Sequence, residues 1–319
     1  MTRDANPTRP PPEPPLSESL VHERIYARSG SLGPRVPVGP GDDAALILAE
    51  PDRRVLLTVD QLIEGRHFLG PALAEPGIDG IARKAIARSV SDIAAMAGAP
   101  VWALATGALP PGAPQRLVDL LFDRMAHWAE HWRCPLVGGD VATLRSAADP
   151  VVLSVTIGAD PHPARGAVLR SGARAGDALF ITGRLGGSLT SGRHLSFEPR
   201  LLEARWLAET LGHALHAMID LSDGLGRDAA RLARASAVQA RLHESLIPLH
   251  PDAGPSALSD GEDYELLFAV PPETSLPAAC PITATPITRI GACTPGHGCL
   301  LIRPDGRELD ASALGWDHR

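Results

Sequence analysis

The feature that most constrains this chain is that its apolar runs repeatedly end in an aspartate within a glycine- or serine-containing turn. Such runs alternate with stretches of helical spacing, which predicts two α/β or α+β halves. The end of a strand is where a packed scaffold passes into loops that carry binding and catalytic groups. Seven aspartates share this position: Asp42, Asp43, Asp60, Asp92, Asp140, Asp220 and Asp223.

Carboxylates collected at one place repel one another and raise each other's pKa unless a cation screens them. Mg²⁺ is bound through such oxygens, usually together with the phosphates of a substrate. Any single aspartate is more often a turn former or a helix cap, so the inference depends on the whole set. The set predicts a magnesium-dependent enzyme that handles phosphates.

Composition excludes several other classes of protein. A formal net charge of −7 lacks the basic excess that a nucleic-acid binder needs. The sequence has no run of about 18 apolar residues, so no membrane span is predicted. The four cysteines form no CxxC pair, which favours a cytoplasmic protein without a disulfide framework. His127 and His131 lie four residues apart beside Trp128, which indicates a packing helix rather than a zinc site.

Hydrophobic periodicity and the positions of proline and glycine give the predicted helices and strands and their division into domains. Residues 1–15 are proline-rich, lack a hydrophobic signal core and are predicted to be a disordered tail. A Pro-, Gly- and Arg-rich stretch over 160–176 predicts a boundary between domains at 16–160 and 161–319. Helices are predicted over 17–29, 78–97, 113–132, 187–194, 199–211 and 222–235. Strands are predicted over 44–50, 54–60, 101–109, 134–140, 150–159, 178–183, 264–270, 287–292 and 298–304, those at 134–140 and 150–159 as buried strands.

Two glycine-containing turns are candidates for phosphate binding, since the chain has no P-loop and no protein-kinase motif. The turn over 182–188 could hold an anion through its backbone N–H groups, or could be an ordinary strand-to-helix connection. Gly138 and Gly139 would allow the backbone to approach a nucleotide, and Asp140 could then reach a metal ion bound to it. Ser222 and Asp223 have no recognisable base nearby, which disfavours a hydrolase.

Eight motifs occur in one order across almost the whole chain beyond the tail. They are GDDAA (41–45), TVDQLIEGRHF (58–68), KAIARSVSDIAAMAGAP (84–100), LVGGD (136–140), LRSGARAGD (169–177), IDLSDGLGRD (219–228), DGEDYELLF (260–268) and GWDH (315–318). In this order they resemble the thiamine-monophosphate kinase family, which is similar in turn to aminoimidazole-ribonucleotide synthetase, selenophosphate synthetase and a hydrogenase-maturation dehydratase. The sister families are disfavoured because no reactive cysteine lies near the N-terminus and none at the C-terminus.

The resemblance implies transfer of the γ-phosphoryl group of ATP onto thiamine monophosphate, giving thiamine diphosphate and ADP. It also implies two α/β domains, with the N-terminal domain sheets forming a barrel across a homodimer interface. The acceptor is a phosphate monoester that is mostly ionised at neutral pH, so no strong general base is needed. The remaining obstacle is to bring two polyanions together, which metal ions and in-line positioning overcome.

By position, the resemblance also implies the site residues. Candidate Mg²⁺ ligands are Asp43, Thr58, Asp60, Asp92, Asp140, Asp220 and Asp223, of which Asp60, Asp92, Asp140 and Asp223 form the catalytic set. ATP would contact Gly139, Asp140, Arg170 and Ser222, and the thiamine part would contact His67, Glu262 and Trp316. Ordinary alternatives are that Trp316 packs the tail, His67 is a core histidine, Glu262 lies on the surface and Arg170 pairs with an aspartate. The chain departs from the family pattern at Val59, Val141 and Asp260.

Two other functions stay open at this point. The chain could be another ATP-dependent enzyme of the same superfamily that acts on a different substrate. It could also be a nucleotide-binding regulatory protein without turnover. The intact aspartate set favours an enzyme, because a protein that only binds a nucleotide needs fewer metal ligands.

Overall fold

The computed structural model describes residues 32–50, 53–70, 74 and 77–316. The tail over 1–15 and the helix predicted over 17–29 lie outside these residues. No helix in the described ranges has both the length and the apolar character that crossing a membrane requires.

The first sheet has five strands in the order β1-β2-β5-β3-β4. Their bounds are β1 Ala45–Glu50, β2 Arg53–Ile63, β3 Ala99–Leu109, β4 Leu136–Thr143 and β5 Val152–Asp160. Neighbouring strands are antiparallel except β3 and β4, which are parallel and joined through a helix. Leu56, Leu62, Leu153 and Ile157 point from the sheet into the first hydrophobic core.

Two helices accompany this sheet, α1 (Ile78–Ala95) and α2 (Gln115–His131). Helix α2 is amphipathic and buries one stripe that contains Leu121, Met125 and Ala129. Helix α1 is buried on nearly every side. Its residues Ile86 and Val90 belong to the core of the first sheet, whereas its last turn packs into a core of the second sheet. Helix α1 is therefore the element shared by the two halves.

The second sheet has seven strands in the order β12-β11-β8-β10-β6-β9-β7. Their bounds are β6 Ala178–Thr182, β7 Ala217–Asp220, β8 Gln239–His243, β9 Leu266–Val270, β10 Ile287–Thr294, β11 Cys299–Ile302 and β12 Glu308–Asp310. Helices α3 (Ser188–Ser191), α4 (Leu201–Leu211) and α5 (Leu225–Ala235) complete this half. Strands β6, β7 and β9 are buried along their whole length, since α4 packs on one face of the sheet and α5 on the other.

The structure corrects several sequence-based expectations. The strand predicted as buried over 134–140 is β4, and it is exposed along nearly all of its length because it forms an edge of the first sheet. Strands β7, β8 and β12 were not predicted, since each has only three to five residues and gives little periodicity. Helix α5 begins at Leu225 rather than at 222, because Gly224 has φ +112° and the Asp228 carboxylate accepts the N–H groups of Asp223 and Gly224.

Strand membership changes between Asp160 and Ala178, near the predicted domain boundary. The mixed α/β character with two sheets agrees with the expected fold class. Neither sheet closes on itself within the described part of the chain, so a barrel does not form inside one subunit.

The close approach of β4 to β3 yields a stability prediction at Gly139. A Cβ atom there would lie 1.8 Å from the Ala105 carbonyl oxygen, whereas one at Gly138 would lie 3.4 Å from a Leu104 methyl group. We expect Gly139→Ala to lower the free energy of unfolding by roughly 2 kcal/mol or more, or about 4 °C in melting temperature. Gly138→Ala is the matched control and should change it little. Equal melting temperatures for the two variants would contradict the described β3–β4 approach.

Candidate functional site

A cavity of about 420 Å³ lies between the first sheet, α1 and the loops of the second half. The segment over 39–45 leads into β1 along one side of it, and β2 contributes Thr58 and Asp60 from its inner face. Helix α1 contributes Arg88 and Asp92, which lie one helical turn apart and face the same way. The polar residues lining the cavity are Asp42, Asp43, Thr58, Asp60, Arg88, Asp92, Arg170, Ser222, Asp223 and Arg231.

Three carboxylates converge beside this cavity. Oxygen atoms of Asp43, Asp92 and Asp220 all lie within 4.8 Å of one another, and this trio is the one group with metal-ligand geometry among the described residues. Asp43 precedes β1, Asp92 lies on α1 and Asp220 ends β7, so the three come from segments far apart in the sequence. Clustered carboxylate oxygens are the donor set that Mg²⁺ prefers, and these residues therefore fit that ion.

The electrostatics of the trio show why a cation suits it. Burial raises the pKa of Asp92 well above its ordinary value, and the neighbouring Asp60, Asp220 and Asp43 raise it further. Burial and the nearby Asp43 raise the pKa of Asp220 in the same way. The Thr58 hydroxyl donates to Asp92, and the Ser91 hydroxyl donates to Asp220 at 2.7 Å. Two hydroxyl donors offset only part of the repulsion, so a divalent ion would stabilise the ionised forms.

Arg170 and Asp43 form one ion pair. The Arg170 guanidinium donates to both carboxylate oxygens of Asp43, at 2.7 and 3.0 Å. The Arg170 backbone N–H donates to Asp42, whose pKa burial raises to about 7. The sequence predicted Arg170 for the phosphates of ATP and Asp43 for a metal ion. The structure thus shows the pairing of Arg170 with an aspartate that was its ordinary alternative, and the roles toward ATP and a metal ion stay predictions.

Asp60 has a cationic neighbour that the sequence analysis missed. The Arg88 guanidinium lies 3.6 Å from the Asp60 carboxylate and donates to the Gln61 carbonyl oxygen at 2.8 Å. Burial raises the pKa of Asp60, and Arg88 acts in the opposite direction. The signal available in the sequence was spacing, because Arg88 precedes Asp92 by one helical turn and therefore shares its face of α1.

Asp223 also pairs with an arginine that was not predicted. Arg231 on α5 lies 2.5 Å from Asp223 and 2.8 Å from Asp228. Ser222 lines the cavity beside Asp223, and its carbonyl oxygen accepts the Glu262 N–H at 2.7 Å. The 219–228 motif thus supplies one wall of the cavity and also anchors the segment that carries Glu262.

Gly139 and Asp140 are not brought to this cavity. Asp60 lies in the register row of Val155, Ala105 and Gly139, whereas Asp140 lies in the next row, with Thr106 and Ser154. Adjacent rows of a sheet point to opposite faces. Asp140 is therefore on the opposite face from Asp60 and three strands away at an exposed edge. Within one subunit it cannot join the other predicted metal ligands.

The three residues predicted for the thiamine part lie near one another. His67 is buried, and its Nδ1 accepts the Ile63 N–H at 3.0 Å. Lys84 stands between His67 and Glu262: its ammonium lies 2.6 Å from the Glu262 carboxylate and donates to the His67 carbonyl oxygen at 2.5 Å. Trp316 is 43% exposed, and the Arg66 guanidinium lies 5.6 Å from the centre of its ring. Lys84 was not among the predicted site residues.

The glycine turn over 182–188 does not provide an open anion site. The Gly186 N–H donates to the Asp263 carboxylate at 2.9 Å, and the Gly187 N–H donates to Asp260 at 3.1 Å. Burial raises the pKa of Asp263 to about 7. Two carboxylates of the same chain thus take the donors that an anion would need, and the reading of this turn as an ordinary connection is the correct one.

Comparison with known proteins identifies the family of this chain. The family described as AIR synthase related protein, N-terminal domain, matches residues 41–159. A thiamine-monophosphate kinase of Rhodopirellula baltica is 38% identical over 277 residues, covering 81% of this chain and 84% of that protein. The chain belongs to the thiamine-monophosphate kinase family.

Other members of the family match over nearly the full length. The thiamine-monophosphate kinase of Escherichia coli K12 is 31% identical and covers 92% of this chain and 96% of its own. A solved structure described as AaThiL complexed with AMPPCP and TMP superposes with a TM-score of 0.74 at 28% identity, covering 95% of this chain and 97% of that one. The family resemblance inferred from the eight motifs is therefore confirmed.

The buried trio yields a prediction at Asp92. When a carboxyl group has a higher pKa in the folded protein than in the unfolded chain, the free energy of unfolding falls as the pH rises from the unfolded pKa through the folded pKa. Without Mg²⁺ at pH 8, Asp92→Asn should therefore raise the melting temperature by about 2 °C or more. The difference should shrink as the pH falls toward the ordinary carboxyl range, and millimolar Mg²⁺ should raise the melting temperature less in the variant than in the wild type.

Thermal melts at several pH values, with and without Mg²⁺, check this expectation. Asp160→Asn is the matched control, because Asp160 also follows an apolar strand but is exposed at the end of β5. A destabilised Asp92→Asn variant that keeps the full Mg²⁺ response would remove Asp92 from the ion site.

Proposed function

We propose that this chain phosphorylates thiamine monophosphate to thiamine diphosphate with ATP, by Mg²⁺-assisted direct in-line transfer. The single observation that carries the proposal is the convergence of Asp43, Asp92 and Asp220 beside a cavity that arginines also line. Family membership supports the substrates, since a structural neighbour was solved with AMPPCP and TMP.

The cavity suits a reaction between two polyanions. Arg88, Arg170 and Arg231 line it together with the carboxylates, so the chain supplies fixed positive charge as well as metal ligands. Mg²⁺ held by Asp43, Asp92 and Asp220, with Asp60, Asp223 and Thr58 at hand, would neutralise the reacting phosphates and favour in-line transfer. Arg170 would then orient the phosphates of ATP. The described lining contains no histidine or lysine, which agrees with an acceptor that is already ionised and needs no strong base.

The acceptor would extend from the cavity toward His67, Glu262 and Trp316, the last two of which are joined by backbone hydrogen bonds to Ser222 and Asp223 in the cavity lining. A carboxylate and an exposed aromatic ring together suit a ligand that carries a positively charged ring. The Trp316 N–H donates to the Asp223 carbonyl oxygen at 2.8 Å, which ties this aromatic residue to the wall of the cavity. The acceptor phosphate would then point toward the arginines and the ion.

A homodimer would account for the position of Asp140. Strand β4 is an exposed edge, and Val59 and Leu104 are 61% and 37% exposed. They share one register row through Thr156 and therefore lie on the same face as Asp140. An exposed apolar face of this kind favours a protein partner. A second copy seated there would cover it and would bring Gly139 and Asp140 toward the partner's cavity.

The first test of the function measures ADP release with Mg²⁺ and ATP, in the presence and absence of thiamine monophosphate. We expect turnover only with that acceptor. Turnover with another phosphate or carbonyl substrate instead would select a different activity of the superfamily. Stabilisation by nucleotide without any turnover would select a binding protein.

The position of Asp140 is tested by subunit complementation. Asp92→Asn and Asp140→Asn should each lower turnover by at least about tenfold, or 1.4 kcal/mol of barrier. When the two variants are co-expressed, half of the dimers are mixed, and each mixed dimer has one intact site if Asp140 acts across the interface. Activity should then recover to about a quarter of the wild-type value. No recovery from mixed dimers verified by mass spectrometry would place Asp140 in its own subunit's site or outside both.

A further inference from the structure

Lys84 is the only lysine in a chain whose Lys and Arg residues number 30. Its side chain is fully buried within α1, at 0% exposure. A buried ammonium group is costly unless it is paired and hydrogen-bonded, so its partners define what it does. None of the metal-ion or nucleotide roles described above uses this residue.

The partners of Lys84 come from two separate segments that are predicted to hold the thiamine part of the substrate. Its Nζ lies 2.6 Å from Glu262 Oε2 and donates to the His67 carbonyl oxygen at 2.5 Å. Burial lowers the pKa of Lys84 to about 8, and Glu262 acts in the opposite direction. The Lys84 ammonium group thus links the loop after β2, which carries His67, to the loop before β9, which carries Glu262.

The Glu262 segment is held in an unusual backbone conformation. Glu262 has φ +60° and Tyr264 has φ +52°, values that residues with a side chain rarely adopt. The Glu262 N–H donates to the Ser222 carbonyl oxygen at 2.7 Å, and the Tyr264 N–H donates to Leu221 at 2.8 Å. Strain of this kind persists only where surrounding contacts fix it, and it concentrates at ligand sites.

Tyr264 supplies a second contact to the same carboxylate. Its hydroxyl donates to Glu262 Oε2 at 3.1 Å, and its buried ring stacks on Phe197 with centroids 3.9 Å apart. Both contacts fall on Oε2, and Oε1 accepts no hydrogen bond from the described residues. The Glu262 side chain is 13% exposed, which leaves this second oxygen for a ligand.

We propose that Lys84 and Tyr264 are positioning residues for the phosphoryl acceptor, because they hold one oxygen of Glu262 so that the other meets the cationic part of the acceptor. This inference rests on the proposed function. Lysine suits the role better than arginine, because a compact ammonium with three donors fits a fully buried space between a carboxylate and a carbonyl oxygen. The pair would set the affinity for the acceptor and leave ATP binding unchanged.

Kinetics of two variants test the proposal. In Lys84→Met, the KM for thiamine monophosphate should rise at least tenfold, whereas the KM for ATP should stay within about twofold. Tyr264→Phe keeps the stack on Phe197 and removes only the hydroxyl, so it should give a smaller rise of about threefold in the same parameter. Arg205→Met is the control, since Arg205 forms an exposed ion pair with Glu209 on α4. An unchanged KM for the acceptor in both folded variants, or equal rises for both substrates, would overturn the proposal.

The single lysine also allows a direct reading in the full-length wild-type protein. Labelling with ¹⁵N-lysine gives one side-chain ammonium resonance, which should shift on addition of thiamine monophosphate but not of AMPPCP alone. If Lys84→Met does not fold, this measurement on the wild-type protein tests the role of Lys84 in its place. A resonance that stays unmoved while calorimetry shows acceptor binding would overturn the role of Lys84 alone. A wild-type chain that neither binds nor phosphorylates thiamine monophosphate would overturn the proposed function together with this inference.

Discussion

The site depends on the burial of one charged helix between two sheets. Helix α1 packs into the core of the first sheet and, through its last turn, into a core of the second. A helix in this position must find a partner for every charged side chain it carries. Asp92 and Ser91 meet Asp43 and Asp220, and Lys84 meets Glu262. The packing of α1 therefore fixes the carboxylate trio and the Glu262 segment relative to each other.

The charge balance of the cavity follows from that packing. Burial, and after it the neighbouring carboxylates, raise the pKa values of Asp92 and Asp220, and arginines stand beside Asp43, Asp60 and Asp223. Within the trio, Arg170 pairs with Asp43, whereas Asp92 and Asp220 accept hydrogen bonds from the hydroxyl groups of Thr58 and Ser91. Such a site has room for a small divalent cation and for the anionic groups that accompany it. Stability and function thus make opposite demands on the same aspartates.

Register decides which residues can share a site. Asp60 and Asp140 both follow apolar runs in the sequence, yet adjacent rows of the same sheet turn them to opposite faces. Asp60 and Asp140 would contribute to one site only if a second subunit covered the exposed face and the β4 edge. The complete site would then be a property of the assembly and not of the single chain.

The sequence by itself determined the alternation of strands and helices, the family and most of the carboxylate set, because periodicity and ordered motifs are local properties. It also indicated helices α1 and α2 to within about two residues, an ordinary margin for helix ends. Tertiary structure alone decided that β4 is an exposed edge, that the glycine turn over 182–188 donates to Asp260 and Asp263, that Arg88 and Arg231 line the cavity, and that Lys84 pairs with Glu262. These features depend on contacts between segments far apart in the chain, and neither the sign of a charge nor its spacing reveals which distant partner it will meet.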